Sequence, residues 1–178
     1  MTAEAIKARI RTIPDFPKQG IQFRDITTLL ADAEGLSLAV DALANLAGEA
    51  TVDAVAGIEA RGFIFGSALA VRLGTGFIPL RKAGKLPVDA IGEDYSLEYG
   101  TARLELDPGL IRDGERILLV DDLLATGGTA IAGAKLLRRA GGIVDRALFV
   151  VELPELGGAQ ALASQGLATG AAVSFEGH

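Results

Sequence analysis

Ile117-Leu118-Leu119-Val120-Asp121-Asp122-Leu123-Leu124-Ala125-Thr126-Gly127-Gly128-Thr129 is the stretch on which the fold turns. Four apolar residues, Ile117 to Val120, stand between Arg116 and a pair of aspartates. Such a run reads as a strand buried on both faces, because a half-wet strand would alternate. The strand is expected to end at the two carboxylates. A turn of Ala, Thr, Gly and Gly follows, and a helix from Thr129 to about Arg139, with Ile131, Lys135 and Arg138 among its spaced positions. In an open parallel sheet, ligands bind just beyond the carboxyl ends of the strands.

Each residue type here has a physical use. Gly127 and Gly128 let the backbone take unusual dihedrals and come close to a ligand. The free N–H groups of the turn and first helical turn suit a phosphate, and Thr126 and Thr129 add hydroxyl donors. Asp121 and Asp122 would repel that phosphate, but they can accept from sugar hydroxyls or hold a hydrated Mg²⁺. Two acids with no partner beside an anion cradle suggest a ribose 5-phosphate ligand. No lysine follows the glycines, so this is not a Walker loop.

The whole chain narrows the classes. Its 178 residues suffice for one domain with a sizeable core. A composition 49% hydrophobic and only 5% aromatic suits α/β packing. With 17 basic and 23 acidic residues and no basic run, neither nucleic acid nor an anionic membrane is expected as partner. No cysteine is present, which excludes disulfides and Cys-ligated zinc and fits the cytoplasm. The single histidine is His178, so histidine triads and His-rich metal sites are excluded. No apolar run approaches the ~18 residues of a membrane span. Glu4, Lys7, Arg9 and Arg11 lie in a helical pattern unlike a signal peptide.

Ile6, Ile10 and Ile13 predict a helix over 3–13, ended by Pro14. Two prolines and Gly20 make the following loop irregular; it carries Phe16 and Phe23, either pinned to the core or stacked on a planar base. A helix is expected over 36–48 and a strand from Val52 to Ile58. A turn carrying Glu59, Ala60, Arg61 and Gly62 leads into a helix from Phe63 to Leu73, then a strand from Gly76 to Leu80. Residues 81–100 place Arg81, Lys82 and Lys85 among glycines, as in a lid. Thr101 to Leu106 alternates as a strand; a strand over 143–153, a short helix over 157–165 and an edge strand over 171–175 complete the chain.

Residues 117–129 resemble the phosphoribosyl diphosphate (PRPP) signature of the type I phosphoribosyltransferase family, in its adenine-using form. Arg-Lys-x-Gly-Lys-Leu-Pro at 81–87 and Tyr-x-Leu-Glu-Tyr-Gly at 95–100 match the same form, and the similarity runs from Pro14 to His178. Ala83 departs from it, standing where Arg or Pro is expected.

The resemblance implies an α/β fold: a mostly parallel twisted sheet flanked by helices, with a small N-terminal hood. It implies one domain over 1–178, with residues 1–34 on the adenine side, 35–178 as core and 81–100 as lid. It implies transfer of the phosphoribosyl group from PRPP to adenine, giving AMP and diphosphate, with Mg²⁺ carried by PRPP and water rather than by protein ligands, in a cytoplasmic homodimer. By the same resemblance Asp121 and Asp122 hold the ribose, and Ala125, Thr126, Gly127, Gly128 and Thr129 the 5-phosphate. Ala60, Arg61, Lys82 and Lys85 bind diphosphate, with Arg81 supplied by a partner subunit; the Ala60–Arg61 peptide would be cis. Ile21, Phe23, Arg24 and Leu123 bind adenine, Phe23 by stacking. Glu98 is the candidate catalytic residue, and Tyr99 belongs to the lid. The alternatives are a phosphoribosyltransferase for hypoxanthine, guanine, xanthine or orotate, and a regulator that binds PRPP without turnover.

Overall fold

A computed structural model describes residues 2–97 and 100–177. Its N-terminal elements are α1 (Thr2–Lys7), β1 (Arg11–Pro14), β2 (Gln22–Asp25), α2 (Thr27–Ala31) and α3 (Ala33–Ala47). Then come β3 (Ala54–Ile58), α4 (Arg61–Leu73), β4 (Gly76–Lys82), β5 (Ile91–Ser96) and β6 (Thr101–Leu106). The C-terminal part is β7 (Ile117–Leu124), α5 (Gly128–Arg139), β8 (Arg146–Glu152), α6 (Gly158–Ser164) and β9 (Ala168–Ser174).

Seven strands form one sheet in the order β5-β6-β4-β3-β7-β8-β9. The five from β4 to β9 in that order pair parallel, while β5 and β6 are antiparallel additions at the β4 side. The chain starts the parallel sheet at β3, steps outward to β4, then returns to the other side of β3 to lay down β7. That reversal between β3 and β7 is the topological switch point, where crossovers leave for opposite faces and a crevice opens at the strand ends. The α/β expectation therefore holds, with β9 at the edge as expected.

Alternate residues of the central strands feed two cores. Ala54, Ala56, Ile58, Leu119, Ala147 and Phe149 pack with α5 through Leu136 and Leu137. Val55, Leu118, Val120, Leu148 and Val150 pack with Leu43 of α3 and Phe65 and Leu69 of α4. Both faces of β7 are covered, which is why Ile117 to Val120 show no alternation.

The helix expected over 3–13 stops at Lys7, and residues 11–14 form β1 instead. Ile6 and Ile10 are buried as their spacing requires. Thr28 of α2 takes the backbone that a longer helix would have used: its hydroxyl accepts from Arg11 N–H and donates to Arg9 C=O. Arg9 itself reaches Asp32 and Glu34. Tertiary partners override local periodicity here. The loop after Pro14 is likewise partly a ribbon, with β1 and β2 antiparallel and Ile13 opposite Phe23. β4 runs two residues past the expected Leu80, through Arg81 and Lys82, and within 81–100 residues 91–96 form β5, which pairs antiparallel with β6.

Candidate active site

The site is built at the switch point, from the ends of β3 and β7. β7 continues through Leu124, so the aspartates lie inside the strand and not beyond it. Strict alternation would point them to opposite faces, yet both line one cavity. The alternation breaks at the pair: Leu123 packs with the cluster of Leu118 and Val120, and Leu124 with that of Leu119.

Asp122 is buried, and its Oδ2 accepts from Arg61 Nε at 2.5 Å. The expectation of two unpartnered acids is corrected by this ion pair. Asp121 Oδ1 accepts from Asp122 N–H at 2.9 Å. Burial, and then the neighbouring Asp122 charge, push the Asp121 carboxyl well above its ordinary value. A proton or cation arriving at this acid is therefore favoured.

Arg61 is the first residue of α4, not part of a preceding turn. The following Gly62 brings α4 hard against β7: a Cβ there would lie 2.8 Å from Asp121 Oδ1 and 3.0 Å from Val120 O. The non-proline cis peptide is Glu59–Ala60, one bond earlier than the expected Ala60–Arg61.

Across the crevice, α5 starts at Gly128, with Gly127 in the left-handed region at φ 89° and no side chain capping the end. The first helical N–H groups have no intrahelical acceptor and face outward. A Cβ on Gly128 would have only Ser96 O near it, at 3.7 Å, so the approach to this backbone is open.

These parts enclose a cavity of about 420 Å³ lined by Ile58 to Arg61, Lys82, Asp121 to Ala130 and Phe149. It unites the expected Ala60, Arg61, Lys82, Asp121, Asp122, Leu123, Ala125, Thr126, Gly127, Gly128 and Thr129. Lys82 is held by its Nζ donating to Tyr95 OH at 2.9 Å.

Other expected residues lie outside this lining. Arg81 and Lys85 both turn to Glu59, which does line the cavity. Ile21, Phe23 and Arg24 belong to the hood. There Phe23 meets Phe16 edge-to-face at 5.2 Å, and Arg24 lies over the Phe175 ring and donates to Glu176 C=O. Glu98 and Tyr99 lie outside the described residues. Sequence reading gave no role to Glu59, Tyr95 or Phe149. Glu59 alone had a signal, an acid between a buried strand and Arg61; the other two are placed by pairing between distant strands.

The phosphoribosyl transferase domain model matches residues 26–152, a span that contains β3, α4, β7, α5 and the cavity between them, so the fold is that of a phosphoribosyltransferase. The chain is 60% identical over 178 residues to the adenine phosphoribosyltransferase of Erythrobacter litoralis, covering all of both chains, and 60% identical to that of Novosphingobium aromaticivorans over the same span. It therefore belongs to the adenine phosphoribosyltransferase family. The crystal structure of the Thermoanaerobacter pseudethanolicus enzyme superposes with a TM-score of 0.92 at 47% identity, over 97% of this chain and 99% of that one. The Saccharomyces cerevisiae enzyme, complexed with an imino-altritol bisphosphate and adenine, gives 0.88 at 33%, over 96% and 98%.

Proposed function

We propose that this chain transfers the 5-phosphoribosyl group of PRPP to adenine, forming AMP and releasing diphosphate. One observation carries the reading: the Arg61–Asp122–Asp121 group stands at the switch point, facing the open N-terminus of α5 across one cavity. A sugar phosphate placed there would set its 5-phosphate on the N–H groups of 125–129. Its hydroxyls would meet Asp121 and Asp122, and its diphosphate Arg61 and Lys82. Leaving-group departure develops positive character at the anomeric carbon, as in glycoside chemistry. The acid pair supplies negative potential beside that carbon, and the cations stabilise the diphosphate. Leu123 and the hood residues Ile21, Phe23 and Arg24 form the base side, with Arg81 and Lys85 next to the diphosphate side.

Among the described residues no cluster of three or more His, Asp or Glu could hold a metal ion alone. Mg²⁺ characteristically keeps several waters and binds through one or two carboxylates plus substrate phosphates. Asp122 is already taken by Arg61 and both acids face the ribose hydroxyls, so Mg²⁺ would be carried by the PRPP oxygens and water, with no protein ligand of its own. When bound, it would neutralise charge on the leaving diphosphate. Among the described residues no helix is long and apolar enough to cross a membrane. A single catalytic unit acting as a cytoplasmic homodimer is the working form we propose.

The test is a panel of adenine, hypoxanthine, guanine, xanthine and orotate with PRPP and Mg²⁺. AMP formation from adenine, well above product from the other bases, is expected. Equal use of another base would overturn the specificity, and PRPP binding without turnover on any base would overturn the enzymatic reading.

A further inference from the structure

Glu59 sits where β3 ends, and its side chain is only 11% exposed. Its backbone N–H donates to Leu80 C=O, and its Oε2 accepts from Lys82 N–H at 2.8 Å, so the residue carries the β3–β4 ladder one step further. The same carboxylate meets two cations: Lys85 Nζ lies on Oε1, and Arg81 Nε stands 3.5 Å from Oε2. Burial opposes its charge, but Lys85, the Lys82 N–H and Arg81 together outweigh this and keep it ionised. Glu59 is a fixed wall of the cavity, whereas Lys85 is 47% exposed on the loop between β4 and β5 and does not line it.

We propose that Glu59 is a positioning residue that holds Lys85 beside the cavity and yields it to the diphosphate when that ligand binds. This rests on the diphosphate reading of the cations given above. Two cations against one carboxylate leave an excess of positive charge, and the diphosphate brings more negative charge than Glu59 can. Lys85 exchanges one anion for the other, so it keeps an anionic partner both before and after the ligand arrives. Release of diphosphate is eased because Glu59 competes for Lys85.

The experiment is calorimetry of inorganic diphosphate with Mg²⁺ on the full chain. Glu59→Gln keeps an oxygen for Lys82 N–H but drops the charge. Diphosphate should then bind at least threefold tighter, with a matching fall in its product-inhibition constant. Glu59→Asp, which keeps the charge, should stay near the parent. A purely structural role predicts unchanged or weaker binding in Glu59→Gln, and that result would overturn the proposal. In a Lys85→Ala background the gain from Glu59→Gln should vanish; a gain that persists would overturn the exchange with Lys85. If Lys85→Ala alone leaves diphosphate binding unchanged, the diphosphate reading of these cations fails, and the proposal with it.

Discussion

Asp121 is kept in a place that disfavours its charge. Burial and the neighbouring Asp122 raise its folded pKa above the unfolded value. The penalty on the ligand-free protein is therefore present above the folded pKa, shrinks as pH falls through it, and is gone below the unfolded value near ~3.9. Asp121→Asn keeps an oxygen for Asp122 N–H and removes the charge. It should raise the melting temperature of the ligand-free chain at neutral pH; each ~1 kcal/mol gained corresponds to roughly 2–4 °C at this size. It should also cost roughly ten- to a hundredfold in kcat/KM for PRPP, the effect of a lost charged acceptor worth ~1.5–3 kcal/mol. In the parent, kcat/KM should fall as pH drops through the raised pKa, and Asp121→Asn should lose that limb. Calorimetry and a pH–rate series check both parts; a destabilised variant would contradict the burial argument. The acids were legible in the sequence as residue types in a strand-end setting. The Arg61–Asp122 pair was not, because its partners are 61 residues apart and no local pattern links them.

The turn before α5 holds two glycines with separate duties. Gly127, at φ 89°, also leaves no room: a Cβ would lie 2.5 Å from Leu162 Cδ1 of α6. Gly127→Ala should therefore destabilise the fold by about 1 kcal/mol or more. A Cβ on Gly128 meets only ordinary contact, so Gly128→Ala should melt close to the parent while binding AMP at least tenfold more weakly. Equal AMP affinity would move the phosphate elsewhere. The hairpin β5–β6 is tied to α5 at its base, where Glu93 meets Lys135 and Arg139, and Arg139 donates to Gly92 C=O. Lys82 is locked in β4 by Tyr95 and Glu59. Limited trypsin digestion should thus cut after Lys85 and spare Lys82, with PRPP and Mg²⁺ protecting Lys85; cleavage after Lys82 would contradict the clamp. Central elements were readable because buried strands and capped turns carry their signals locally. The first helix was over-extended because Thr28, far along the chain, claims the backbone of residues 9–11.

At the scale of the molecule, the hood is held by both ends of the described chain. Lys7 and Arg24 lie over the Phe175 ring at 5.2 and 4.6 Å, and Arg24 donates to Glu176 C=O. Phe23→Ala should weaken adenine binding by ~1–3 kcal/mol, the worth of base–aromatic stacking. PRPP binding should stay nearly intact. Phe175→Ala should produce a smaller adenine-selective loss by loosening Arg24. Calorimetry with each substrate distinguishes these outcomes; equal losses for both substrates would assign Phe23 to packing alone. None of this docking was visible in the sequence, which shows the aromatic residues but not that residues 7, 24 and 175 converge.

The side-by-side placing of β3 and β7 has a consequence for how the protein is made. Synthesis delivers the N-terminal part first. The unit bearing Arg61 can pair β3 with β4 once Lys82 has emerged, yet the opposing carboxylate arrives only with β7. β7 in turn needs β8, as far as Glu152, to cover its other edge. The Arg61–Asp122 pair therefore cannot form on the nascent chain until β7 has been made, and the cavity gains its second wall only as the central sheet closes.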